Sequence, residues 1–206
     1  MEREQEGKMN KNLKDVKTLV ILGIMLAFTI ILDLTPLGMI PLPVISASIV
    51  HLPTVVTGII LGPIAGAIMG AAMGVVSLVH AITRPPSVLA PLFINPLVSI
   101  LPRIFIGVVS YYSYTVIKKI NNKSNMMNSI SIFIAGVMGS LTNTILVLAV
   151  LYILYKDKIA EILNNSQSVM SWIVGIATVQ GFGEAIVIGI ITLPIVIAWQ
   201  KTKKRV

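Results

Sequence analysis

The chain has 206 residues, of which 55% are hydrophobic and 12% charged, with a formal net charge of +8 and a mean hydropathy of +0.91. A soluble domain carries about 25% charged residues, so a water-exposed globular enzyme is excluded, and the absence of cysteine removes disulfide and thiolate chemistry. Apolar runs long enough to cross about 30 Å of hydrocarbon as helices make this an all-α integral membrane protein.

The N-terminal segment 1–16 mixes acids with bases and leads into a long apolar span without a small-residue cleavage signature, which predicts a retained cytoplasmic helix start. Six spans are predicted, at about 17–34, 44–62, 64–82, 96–117, 128–153 and 170–198, within a membrane domain covering 17–199 and followed by a basic tail at 200–206. The first span carries Gly23 and Ala27, a small pair four residues apart that suits either a docking partner or internal packing. Only Gly62-Pro63 separates the second span from the third. Glycine permits a tight turn and proline disrupts a continuing helix, which predicts a hairpin; a single bent segment of about 39 residues is too long for one crossing. Through these two spans a glycine recurs at every fourth position, at Gly58, Gly62, Gly66, Gly70 and Gly74. Residues four apart share a helix face, so the ladder predicts close approach of a neighbouring backbone.

His51 stands near the start of the second span, and His80 and Arg84 stand one turn apart at the end of the third. The connection TRPPSVLAPLFINPLVSILPR then runs from Arg84 to Arg103 with five prolines, too many for a continuous helix, and reads as a shaped segment or lid carrying Asn95. The fifth span holds Thr142 and Asn143 in SLTNTI, and the sixth holds Gln180 and Glu184, four apart, in GIATVQGFGEAIVIG.

Basic residues near span ends set the orientation. A cytoplasmic N-terminus puts Arg3, Lys8, Lys11, Lys14, Lys17, Lys118, Lys119, Lys123, Lys201, Lys203, Lys204 and Arg205 on the cytoplasmic side, so both termini are expected there. The outer side receives Arg84, Arg103, and the Lys156 to Glu161 loop. Most of the membrane-embedded polar residues then fall in the outer half of the bundle. Because such groups are expensive unless paired or facing a cavity, Arg103, Arg84, Asn95, His80, Asn143, Gln180, His51 and Glu184 are the candidates for a substrate pocket open to the outside. For the arginines, anion binding through the planar guanidinium competes with snorkelling to headgroups. For the histidines and Glu184, ligand contact competes with structural hydrogen bonding. No His, Asp, Glu or Cys spacing points to a metal, and no phosphate-binding glycine loop, HExxH or GxSxG motif is present, so neither a cofactor nor a catalytic site is expected on this chain.

The segments PLGMIPLPVISASIVHLP, GIILGPIAGAIMGAAMGVVSL, RPP followed by FINPLVSILPR, and GEAIVIGI resemble the substrate-binding S component of energy-coupling factor (ECF) vitamin transporters, most similar to the pantothenate-type branch. The resemblance implies a six-helix subunit of a prokaryotic cell membrane that captures a vitamin from outside. It also implies partners: a membrane coupling protein, the T component, and two cytoplasmic ATP-binding cassette ATPases, with delivery by toppling in the bilayer. The substrate cavity would be built from helices four to six and the loops after helices one, three and five. Small residues of helix one, here Gly23 and Ala27, would serve docking. A proton-coupled secondary transporter using Asp33, His80 or Glu184 is the competing expectation.

Overall fold

The computed structural model describes residues 15–35, 38–41, 46–84, 89–120, 125–163 and 168–203. Most of the expected N-terminal segment, Pro85 and Pro86 of the lid, and the basic residues Lys123, Lys204 and Arg205 lie outside the described residues. The fold is all-α apart from one small ribbon. Helix α1 (Val16–Leu34) starts at Asp15, whose side chain accepts from the Lys17 backbone N–H at 3.3 Å. Strands β1 (Met39–Pro41) and β2 (Ser46–Ser48) pair antiparallel, Met39 opposite Ser48. Helices α2 (Leu52–Leu61) and α3 (Pro63–Thr83) follow, then a 3₁₀ turn at Ala90–Ile94. A short α4 (Pro96–Ser99) precedes α5 (Leu101–Ile120) and α6 (Asn125–Ile162). Helix α7 (Val169–Ile176) passes through a π turn at Ala177–Gly181 into α8 (Phe182–Lys203).

Five helical segments among the described residues are long and apolar enough to cross a membrane. The expected second crossing at 44–62 differs from the other five. In its place a strand of the ribbon leads into α2, whose 10 residues span about 15 Å at 1.5 Å per residue, half the hydrocarbon thickness. The physical reason is that α2 is apolar all round because it is enclosed by protein, and apolarity alone does not separate a buried core helix from a crossing. Eight of its ten residues, Leu52 through Ile59, are buried, and it packs against α1, α3, α5, α6 and α8. With Ile106, Ile132, Ala135, Ile188 and Val196 from those neighbours it forms the inner core.

The hairpin between α2 and α3 is formed at Gly62, whose φ of 103° is open to glycine and strained for other residues. The rest of the ladder faces α5. A Cβ on Gly58 or Gly66 would run into the backbone of Gly107, one on Gly70 into the carbonyl of Arg103, and one on Gly74 into Ser99 and Ile100. Missing side chains thus let three backbones pack in direct contact, and they fix where α5 begins.

One further boundary differs from the expected one. Helix α6 continues nine residues past 153, through the Lys156–Glu161 stretch, bending at Tyr155 where φ is −134° and ψ 17°. The bend returns Ile159 to full burial against Leu92, Val98, Val147, Leu151 and Val169, a second, outer core cluster. Helix α1 stands apart from the bundle, with only Thr18 and Thr29 buried. Its C-terminal end is held by His80 Nδ1, which hydrogen-bonds Asp33 Oδ2 at 2.7 Å.

Candidate functional site

The N-terminal end of α2 and the five helices packed around it border one common space. A cavity of about 410 Å³ lies there, within the size range of small-molecule sites. The segment entering α2 supplies Ser48, Val50 and His51. The surrounding helices supply Asp33 from α1, Met73, Ser77 and His80 from α3, Arg103 from α5, Asn143 and Leu151 from α6, and Trp172, Gln180 and Glu184 from the α7–α8 segment. The turn at Ala90–Ile94, part of the sequence's expected lid, adds Ala90 and Phe93.

Arg103 owes its place to the residue before it. Proline has no N–H, so Pro102 leaves the carbonyl of Val98 without its helical donor. Arg103 Nη1 donates to that carbonyl instead, at 2.6 Å. The guanidinium lies 5.7 Å from the centroid of Phe93, and Phe93 is itself pinned by Ser99, whose hydroxyl donates to its carbonyl. Arg103 is 8% exposed, yet its Nε has no partner, and the ion pair among the described residues joins His80 to Asp33 and does not involve it. An arginine so buried and uncompensated is costly unless an anion completes it. The amide oxygen of Asn143, also lining the cavity, is likewise buried without a donor.

The other polar residues are held more completely. His51 Nε2 hydrogen-bonds Ser140 Oγ at 3.0 Å across to α6. Glu184 accepts from the Ser48 backbone N–H at 3.0 Å and from Gln180 Nε2 at 3.2 Å, tying the ribbon to α8. The π turn explains how Trp172, Ile176, Gln180 and Glu184 all reach the cavity. At 3.6 residues per turn, residues spaced by four drift around a straight helix, and the wider turn at Ala177–Gly181 takes up part of that drift.

Six of the eight sequence candidates therefore line one cavity: Arg103, His80, His51, Asn143, Gln180 and Glu184. The other two are elsewhere. Arg84 is exposed at the C-terminal end of α3. Asn95 caps α4, its Oδ1 accepting from Leu97 N at 3.0 Å, while its Nδ2 donates to the Tyr155 hydroxyl at 3.0 Å. It fastens the lid segment to the bend of α6. The cavity also includes Ser48 and Ser77, which were not among the candidates, and Asp33, which the sequence offered only for proton coupling. Ser77 was readable in retrospect, since Met73, Ser77 and His80 follow helical spacing on one face of α3. Gly23 and Ala27 are exposed on α1, and a Cβ on Gly23 would meet nothing within 4 Å. Among the described residues no group of three or more acidic, histidine or cysteine side chains is positioned to hold a metal ion.

A family model for the ECF transporter substrate-specific component matches residues 17–196. Comparison with individual curated proteins gives no match. A helical bundle with five segments long and apolar enough to cross a membrane agrees with that match, which spans the whole described bundle except its ends: the chain belongs to the family of ECF transporter substrate-specific components.

Proposed function

We propose that this substrate-specific component captures pantothenate or a related small polar vitamin or precursor at the outer face of a prokaryotic cell membrane. It then delivers the ligand by reorienting within a complex of a membrane coupling protein and two cytoplasmic ATPases, with both of its own termini cytoplasmic. The observation that carries the reading is Arg103, buried in the cavity with an unpaired Nε and no carboxylate within ion-pair distance among the described residues. Pantothenate brings the missing carboxylate, together with an amide and hydroxyls for Asn143, His51 and Gln180. Docking of the coupling protein on α1 is supported by the open, small-residue face at Gly23 and Ala27. Arg84 and Asn95 contribute to ligand binding, on this reading, by shaping and anchoring the lid.

Calorimetric titration of the detergent-purified protein with pantothenate tests the proposal. One tight site per chain is expected, with uptake into vesicles only when the coupling protein, the ATPases and ATP are present. The Asp33–His80 pair and Glu184 in the same cavity favour one competitor, a proton-coupled secondary transporter. That reading requires uptake by this chain alone, abolished when the proton gradient is collapsed.

A further inference from the structure

The cavity contains two ionisable side chains of opposite sign that the protein leaves uncompensated. Arg103 has no acidic partner and Glu184 no basic one among the described residues, although they are only 8% and 6% exposed. The hydrogen bonds of Glu184 are lopsided. Ser48 N and Gln180 Nε2 both donate to Oε1, and Oε2 receives no donor from the described residues. The sealed, unpaired side-chain atoms among these residues are Thr57 Oγ1, Arg103 Nε and Asn143 Oδ1. Glu184 Oε2 is unpaired without being sealed, and the residue lines the cavity. By the same comparison Arg103 Nη2, which makes no hydrogen bond among the described residues and is not sealed, is the free donor, so the protein presents an unpaired donor at Arg103 and an unpaired acceptor at Glu184 Oε2 in one cavity.

The cavity is also graded along its depth. The Asp33–His80 contact at the ends of α1 and α3 marks the outer end. On α6 the polar Asn143 lies deeper than Leu148 and Leu151. On the antiparallel α7–α8 segment, Glu184 and Gln180 lie deeper than Ile176 and Trp172. Polar groups thus occupy the floor, an apolar, partly aromatic wall from α6 and α7 leads to it, and on α1 and α3 the Asp33–His80 contact stands at the rim.

From this arrangement we infer that the ligand enters polar end first. Its anionic group meets Arg103, a nearby O–H or N–H donates to Glu184 Oε2, and its less polar remainder lies outward against Leu148, Leu151 and Trp172. Glu184 is then a specificity-determining residue: one oxygen holds the ribbon through Ser48, and the other reads a donor on the ligand. The inference rests on the capture function proposed above and specifies its substrate class, a small carboxylate with a hydrogen-bond donor close to the acid end.

The test titrates the full-length purified protein by calorimetry with six probes. Pantothenate, biotin and nicotinate carry a carboxylate; thiamine, riboflavin and pyridoxine do not. The tightest probe is expected to be a carboxylate, and its carboxamide is expected to bind about 10- to 100-fold more weakly, the range for leaving a buried charged donor unpaired. In Arg103→Gln the acid and the carboxamide should bind within a few-fold of each other. Glu184→Gln keeps an acceptor for Ser48 but turns the Oε2 position into a donor. It should weaken the acid by about tenfold or more, and should have a smaller effect on an analogue whose donor is methylated or deleted. Preferred binding of a probe without a carboxylate, or an unchanged affinity in a folded Glu184→Gln protein, overturns the inference while leaving capture intact. Silence from all six probes overturns the capture reading and the inference with it.

Discussion

Substituting alanine for Gly70 tests how the glycine ladder serves the site. A Cβ at Gly70 would overlap the carbonyl oxygen of Arg103 and lie 2.7 Å from its carbonyl carbon and 3.0 Å from Ile104 Cα, all backbone atoms that cannot rotate away. Relieving the overlap with that oxygen, the nearest of the three atoms, moves the start of α5 by roughly 1 Å or more. Overpacking of this kind costs about 1–3 kcal/mol. For a chain of this size that lowers the melting temperature by about 2–12 °C. The displaced residue is Arg103 itself, so affinity for an anionic ligand should fall about tenfold. Gly23→Ala is the internal control. Nothing lies within 4 Å of its Cβ, and alanine is favoured over glycine in a helix by about 1 kcal/mol, so its melting temperature should equal or exceed the parent's. Thermal unfolding of both variants in detergent, followed by tryptophan fluorescence, gives the comparison. A Gly70→Ala protein that melts with the parent would refute the close-contact account of the ladder.

Pro102→Ala restores an N–H able to bond the Val98 carbonyl and so competes with Arg103 for its anchor. Stability should be unchanged or higher while affinity for an anionic ligand falls severalfold; equal affinity would show that the anchor is dispensable. Asp33→Asn weakens the contact that ties the C-terminal end of α1 to α3. The expected stability loss is below about 1 kcal/mol because the pair is partly exposed. Amide exchange at residues 30–35 should nevertheless accelerate, and unchanged exchange would mean that other contacts hold α1. Ser140→Ala removes the partner of His51 at an expected cost of about 1 kcal/mol, measurable as a lower melting temperature.

Much of this architecture was legible in the sequence because its causes are local. The Gly62-Pro63 hairpin follows from what those two residues do to a backbone, and the glycine period of four marks one packed face. Eight polar residues in an apolar setting likewise predicted a pocket, and six of them line one cavity. What the sequence hid depends on context. Leu52–Leu61 is as apolar as a crossing helix, and only its enclosure by α1, α3, α5, α6 and α8 reveals a half-length core helix. Arg84 and Asn95 have the chemistry of ligand contacts, but their positions are decided by the end of α3 and by the cap of α4. The role of Pro102 likewise becomes visible only once the Val98 carbonyl is seen to accept from Arg103.

The central claim is that the ligand occupies the cavity at the start of α2. The chain has two tryptophans, and of these Trp172 lines that cavity while Trp199 lies near the opposite end of α8. In a Trp199→Phe protein, Trp172 is the sole reporter, and its emission can be followed while pantothenate and the other probes are titrated. A saturable change at one ligand per chain, lost in Arg103→Gln, is the predicted result. Calorimetric binding that leaves Trp172 emission untouched would place the ligand elsewhere and contradict the account.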